Sequence, residues 1–294
     1  MENKDVLKKY LAHDKTVRVF VLDATNMVGK LRELHNMTNT ATAALGRTLV
    51  ISCIMASMLK EKEDRITVQI KGEGKIGNMV VCGNNSLKMK AYATNPQADA
   101  PKKENGKLDV SKIVGNGYIN VVKDIGLKEP YIGVCKLVSS EIAEDFAYYF
   151  ATSEQTPTAV FLGVNFSKEN KVEKACGYVI EPLPDAPANV IDILESINSN
   201  ISSVTNLMID IQDMDDVAKT ITGDNFVECI EEKVPVLECD CNIQRISKAI
   251  VALGKKDVED ILKENGKVEV KCDFCHKTYT FKEKDIKDIF GGDN

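Results

Sequence analysis

The sequence predicts an α+β protein: an antiparallel, β-rich N-terminal domain with a few helices, a helical linker, and a small C-terminal domain. Three observations carry this reading. Short β-branched runs broken by Gly, Asn and Pro follow one another closely between residues 16 and 180. Three of the eight prolines then fall together in "EPLPDAP", residues 181–187, and an apolar stripe at helical spacing follows. Four of the nine cysteines gather in the last quarter, in two motifs separated by thirty residues.

The N-terminal domain is assigned to residues 1–182. Its strand candidates are "TVRVFVLDAT", "RITVQIKG", "NMVVCG", "SLKMKAYATN", "YINVVKDI", "YIGVCKLV", "TAVFLGVNF" and "KVEKACGYVIE". Each is short and rich in residues that favour a pleated surface. Helical patterns interrupt them near 26–37, 40–60 and 140–154. Parallel pairing needs long crossovers, so strands this closely spaced predict antiparallel sheet. The proline cluster cannot continue a helix or a central strand, and it marks the domain's end.

The linker is assigned to residues 183–226. Val190, Leu194, Ile197, Ile201, Val204, Met208 and Ile211 recur with alternating gaps of four and three, which is one face of a helix or helix pair. The expected place for that face is against the main domain. A free coiled coil is disfavoured, because "SINSNISS" puts Ser and Asn in the middle and charged flanks are sparse. The C-terminal domain is assigned to residues 227–294. It reads as a strand-like stretch ("FVECIEEKVPVLEC"), helices over about 242–253 and 256–264, a hairpin ("KVEVKCDFCHKTYTF") and a last helix ("KEKDIKDIF"). Gly254 and Gly266 are the expected helix stops.

Composition narrows the function. A chain of 294 residues, 44% apolar and 28% charged, is long enough for two domains and ordinary enough for a globular core. Its net charge of −6 and pI near 5.3 disfavour a general grip on nucleic acid or anionic membrane, both of which call for a basic surface. The tail is no exception: residues 232–294 carry 12 basic and 13 acidic side chains. The charged start, "MENKDVLKKYLAHDK", has no apolar core of a signal peptide. The longest nearly apolar run, 48–59, is too short to span a bilayer. A soluble, cytoplasmic protein is expected.

In such a compartment nine cysteines do not form a structural disulfide framework. Cys53, Cys82, Cys135, Cys176 and Cys229 stand alone and read as small buried hydrophobes. The remaining four form Cys239-x-Cys241 and Cys272-x-x-Cys275. A Cys-x-x-Cys at a hairpin tip is a half-site for a tetrahedral metal. In an extended segment residues i and i+2 face the same side, so Cys239 and Cys241 offer the other half. The set suits Zn²⁺, which accepts four thiolates without redox change. A segment of this size has little core of its own, so a metal there would supply folding energy. A purely structural zinc site is one reading. A redox switch is another, because zinc-bound sulfurs are thiolates that oxidants convert to disulfides. "CDFCH" also fits the attachment motif of c-type haem, and four thiolates fit an iron–sulfur cluster. A zinc ribbon serving as an interaction module, or an electron carrier, would follow from those alternatives.

Other motifs carry less. "GEGKIG", Gly72–Gly77, matches G-x-G-x-x-G but leads into a strand rather than a helix, so a hairpin turn is expected. His13, His35 and His276 have no partner at metal or triad spacing. Glu141, Glu144 and Asp145 crowd a helix start, where they complement the helix dipole. No motif reads as an active site.

Longer stretches meet a known family. "ALGR" (44–47), "NP" (95–96), "GKLDV" (106–110), "VGNGYINVVKD" (114–124) and "PYIGVCKLVSSEIAEDFAYYFATSEQTPTAVFLGV" (130–164), with the two thiol motifs, resemble the bacterial 33 kDa heat-shock protein family of redox-regulated holdase chaperones. The resemblance runs nearly end to end. Departures at Lys75, Ser111, Ser140 and Asn242 touch no thiol. The resemblance implies a β-rich domain, a helical linker and a zinc-binding redox-switch domain. It implies that Cys239, Cys241, Cys272 and Cys275 bind one Zn²⁺ per chain in a reduced, inactive state. Peroxide or hypochlorite with unfolding stress would then form Cys239–Cys241 and Cys272–Cys275 disulfides. The linker would loosen, and the activated form, often a homodimer, would hold unfolding client proteins without ATP. The stripe from Val190 to Ile211 fits that linker.

Overall fold

The computed structural model describes residues 4–291, so the first three residues of the charged start and the last three of the tail lie outside the described residues. The chain divides between Leu237 and Glu238 into two units.

The first unit opens with strands β1 (Val6–Ala12) and β2 (Val17–Asp23), then helices α1 (Thr25–His35) and α2 (Asn39–Ser57). Strands β3 (Arg65–Gly72), β4 (Asn78–Asn84) and β5 (Lys88–Ala93) follow. A short helix α3 (Val110–Val114) leads to β6 (Gly117–Asp124) and β7 (Tyr131–Lys136). Helix α4 (Ala143–Tyr149) widens into a π-helical turn (Phe150–Glu154) before β8 (Ala159–Phe166) and β9 (Val172–Pro182). Helices α5 (Ala188–Ser199), α6 (Val204–Asp210) and α7 (Met214–Thr222) come next, and β10 (Glu228–Lys233) and β11 (Val236–Leu237) close the unit.

Two sheets result, with orders β10-β1-β2-β9-β8 and β11-β5-β4-β3-β6-β7. Every pairing is antiparallel except that of β11 with β5. Helix α2 is buried almost all round, which is why its apolar residues show no single stripe. It is long and apolar enough to cross a membrane, but 94% of that window is buried inside the protein, the condition of a core helix. Strand β2 shows how the first sheet is used. Phe20 and Leu22 face the α2 core, while Val17, Val19 and Val21 face a second cluster on the opposite side. A strand covered on both faces reads as a continuous apolar run, as "VRVFVLD" does. Strand β3 alternates instead, burying Ile66, Val68 and Ile70.

Helices α5 to α7 build that second cluster. Val190, Leu194 and Met208 are buried against Tyr178, Ile180 and the β2 valines, with Ile201, Val204 and Ile211 partly buried beside them. Ile197 is half-buried and faces Gly223, where a Cβ would come within 2.5 Å of its Cδ1. The stripe is thus carried by a helix pair, broken at residues 200–203, and it packs on the sheet.

Two departures from the sequence reading matter. The strand-like stretch assigned to the C-terminal domain belongs to the first unit: β10 pairs with β1 from Leu7↔Lys233 to Leu11↔Glu228, and β11 pairs with β5. The physical reason is β1 itself, a charged strand ("VLKKYLA") whose open edge accepts β10. Neither that strand nor the short α3 shows as a periodic pattern in the sequence.

The second unit contains helices α8 (Ile243–Leu253) and α9 (Lys255–Asn265), hairpin strands β12 (Val268–Lys271) and β13 (Thr278–Phe281), and helix α10 (Glu283–Gly291). Gly254 and Gly266 hold positive φ of 93° and 69° at the helix ends, as expected of stops. The buried apolar core is small: Ile250, Val258, Val268, Tyr279, Phe281 and Ile286.

Candidate metal centre

Local chemistry sets each of the four thiols. Cys239 and Cys241 lie on the extended segment entering α8. Asn242 ends that segment by accepting the Arg245 N–H at 3.0 Å, so the helix starts two residues after Cys241. Asn242 departs from the family's usual residue, yet it caps the helix as a small polar residue should. Arg245 also pairs with Asp240. Cys272 and Cys275 lie in the turn between β12 and β13. The Cys272 N–H donates to the Lys277 carbonyl at 3.0 Å and the His276 N–H to the Cys272 carbonyl at 2.8 Å. His276 takes the left-handed conformation, φ 59°, which lets the turn close.

These elements bring all four sulfurs within 4.8 Å of one another. The Cys239 and Cys272 sulfurs are 3.8 Å apart, and those of Cys241 and Cys275 are 3.3 Å apart. A tetrahedron with metal–sulfur bonds of about 2.3 Å has edges of about 3.8 Å, so the cage suits a single tetrahedral ion. A polynuclear iron–sulfur cluster interposes several atoms and needs its thiolates farther apart. The "CDFCH" thiols face the other two thiols, which is not the disposition of a haem attachment site.

The environment favours binding of a cation. Burial raises the Cys241 thiol, but the Tyr279 hydroxyl, 3.2 Å from its sulfur, and the neighbouring thiols outweigh this and bring it down to about 7. Burial first, then hydrogen bonds shared with the other thiols, push Cys239 up. Burial likewise leads the upward shift of Cys275. Four thiols this close cannot all ionise alone, because like charges repel; a divalent cation removes that obstacle.

The other cysteines stand apart. Burial pushes Cys53 up, Cys176 up to about 12 and Cys135 up to about 11, so these thiols are unreactive. Cys82 is half-buried. Cys229 corrects the reading of a buried hydrophobe: it is exposed on β10, the edge strand of its sheet, where one side of the residue has no neighbouring strand.

Two further stretches are settled by geometry. Gly72–Gly77 is the β3–β4 hairpin, and a Cβ on Gly72 would come within 2.2 Å of the Val114 carbonyl oxygen. Asp145 is fully buried and does more than complement a helix dipole. Its carboxylate accepts the N–H groups of Val138, Ser139, Ser140 and Ile142 at 2.7–3.0 Å and so ties down the loop before α4. Glu141 pairs with Arg47 at 3.0 Å and Lys103 at 2.5 Å. These are structural ties. The sequence signal for them was the clustering of acids after "SS", which periodicity does not decode.

Comparison with known proteins agrees with this architecture. The model of the family described as Hsp33 protein matches residues 5–282. A "33 kDa chaperonin" of Thermoanaerobacter sp. (strain X514) is 41% identical over 287 residues, covering 97% of this chain and 98% of that protein. Another from Clostridioides difficile (strain 630) is 40% identical, again covering 97% of this chain and 98% of the relative. The crystal structure of the 33 kDa chaperonin of Thermotoga maritima superposes with a TM-score of 0.90 at 33% identity, covering 99% of this chain and all of that one. With a Cys₄ cage closed by two motifs from one small unit, and a match that spans nearly every described residue, the chain belongs to the Hsp33 chaperone family.

Proposed function

We propose that this protein is a redox-regulated, ATP-independent holdase that binds unfolding proteins under oxidative stress, and that it acts by binding rather than by turnover. The observation that carries the reading is the pairing of a four-sulfur cage with a unit whose core, among the described residues, holds six buried apolar side chains. Such a core is marginal without a staple.

Zinc, when bound, supplies the charge that keeps four thiolates together and fixes the hairpin turn to the α8 entry. Cys239, Cys241, Cys272 and Cys275 are its ligands, one ion per chain. In that reduced state the protein is inactive. A thiolate attacks a peroxide oxygen, the O–O bond breaks, and hydroxide leaves. The second thiolate of the motif then attacks the sulfenic acid, forming the S–S bond and expelling a second hydroxide. Two electrons pass from the sulfurs to the peroxide. With Cys239–Cys241 and Cys272–Cys275 joined in this way, the sulfurs no longer ligate a cation, and the C-terminal unit loses its staple. The helical layer α5–α7 loosens in turn. Val190, Leu194, Ile197, Ile201, Val204, Met208 and Ile211 are then the apolar surface offered to clients.

The partners are unfolded or partly folded proteins, and the oxidised form pairs as a homodimer. The acidic balance of the chain disfavours nucleic acid and anionic membrane as partners, and a cytoplasmic location suits its free thiols. The test is light scattering of a thermally unfolding client with reduced and oxidised protein side by side. Suppression of scattering by the oxidised form alone is expected. Equal scattering with both forms would refute the proposal.

A further inference from the structure

The cage is not symmetric in what surrounds it. Tyr279, on β13, directs its hydroxyl at the Cys241 sulfur, 3.2 Å away. The ring is 8% exposed and belongs to the unit's small core with Phe281, Val268 and Ile250. The Lys277 ammonium lies 5.1 Å from the ring centroid, on the same hairpin. The hydroxyl is thus held by packing on one side and by a cation over the ring, and it reaches one sulfur of four. Tyr279 is a side-chain donor, which a single substitution can remove.

We infer that Tyr279 is a positioning residue of the thiol switch: its O–H holds Cys241 in its ligand position and shields this sulfur from oxidant relative to its motif partner Cys239. The inference rests on the proposed zinc-thiolate reading and adds to it an order among the thiols. Four thiolates around a divalent ion leave a net charge of −2 on the cage. A hydrogen bond donated to one thiolate draws negative charge from that sulfur. This steadies the cage as a whole and blunts that sulfur as a nucleophile. Outer partners of this kind commonly change metal affinity by about ten- to a hundredfold when removed.

The step affected is the first one. A thiolate must attack a peroxide oxygen while the O–O bond breaks and hydroxide leaves, and its rate follows the electron density on the attacking sulfur. With Tyr279 in place, a sulfur other than Cys241 makes the first attack, and Cys241 enters as the resolving thiolate that displaces hydroxide from the sulfenic acid on Cys239. The two electrons and two hydroxides balance as before; only the order of the sulfurs is set.

The experiment compares the full natural chain, Tyr279→Phe, and the chain with a ring-fluorinated tyrosine at 279. Fluorination makes the hydroxyl a stronger donor without changing the packing. Each reduced, zinc-loaded protein is mixed with a chelator, and separately with limiting hydrogen peroxide, and zinc release is followed with a metal-sensitive dye. Peptide mass spectrometry after rapid thiol capping identifies the sulfur oxidised first. We expect Tyr279→Phe to lose zinc at about tenfold lower chelator concentration and to show early oxidation at Cys241. The fluorinated chain moves the other way, holding zinc longer than the natural one. A purely packing role would make both replacements equal to the natural chain, or weaken both, and either result overturns the inference. Should Tyr279→Phe not fold, the fluorinated chain still decides: retention no better than natural refutes it. Failure here is separable from failure of the proposed function. Zinc held equally by all three proteins, with client holding still gated by oxidation, sinks this inference alone. Ordered zinc retention without gated client holding sinks the holdase reading alone.

Discussion

Asn198→Ala is the sharpest perturbation of the helical layer. Asn198, on α5, is 7% exposed, and it accepts the hydroxyl of the fully buried Tyr178 at 3.0 Å. Its amide donates to the Leu194 carbonyl at 2.8 Å and the Ile221 carbonyl at 2.9 Å. One side chain therefore joins α5, α7 and β9. Alanine leaves the Tyr178 hydroxyl and the Ile221 carbonyl buried without this partner, while the Leu194 carbonyl keeps its helical bond. An unsatisfied buried group costs about 1–3 kcal/mol, so two of them give an expected loss of about 2–6 kcal/mol. At the lower figure the open population of the layer rises roughly thirtyfold. Tyr178→Phe should cost about 1 kcal/mol, and the double variant should fall short of the sum by about 1 kcal/mol, since both single changes break the same bond. Amide exchange over residues 188–222 of the reduced protein is the assay. Unchanged exchange there, or an equal rise across β3 to β6, would refute the argument that Asn198 pins this layer locally.

Gly223 closes α7 at φ 69° with Ile197 against it; Gly223→Ala should destabilise the same layer by about 1–2 kcal/mol in denaturant titration, through left-handed strain. Phe281 is 1% exposed in the second unit; Phe281→Ala should cost about 3–5 kcal/mol and lower the exchange protection over 238–291 of the zinc-loaded protein relative to the natural chain. Reduced protein should carry one zinc, and that zinc should be lost as pH falls, because protons compete for the thiolates; metal analysis after dialysis across the acid range checks this. Asp215 is held below the usual carboxylate range by the Tyr10 hydroxyl and the Lys8 ammonium. A depressed folded value means its contribution is complete above the ordinary Asp value near 4 and is lost as pH falls below it. Asp215→Asn should therefore flatten the acid limb of stability over 188–222 and leave the neutral value only modestly lower.

Much of this was legible in the sequence. The antiparallel class followed from strand spacing, and the four-thiol cluster from its two motifs, because chemistry at short range is local. Helix stops at Gly254 and Gly266 were equally local. What failed to show was long-range. Strand β1 hid behind three charged or polar positions in "VLKKYLA", and only its pairing with β2 and β10 makes it a strand. The same pairing drew residues 228–233 out of the C-terminal segment. Asn198 read as one of several residues that weaken a helix, whereas burial beside Tyr178 turns it into a fastening. Asp145 read as a dipole partner, and four backbone N–H groups converge on it only in the fold.

The central claim is that the sulfur cage, by holding a metal, is what keeps residues 238–291 folded. Its most direct measurement follows zinc release and amide protection of that segment together through a peroxide titration. The account predicts that protection and zinc disappear at the same peroxide equivalents and return together on reduction with zinc present. Protection that persists after all the zinc has left would contradict it.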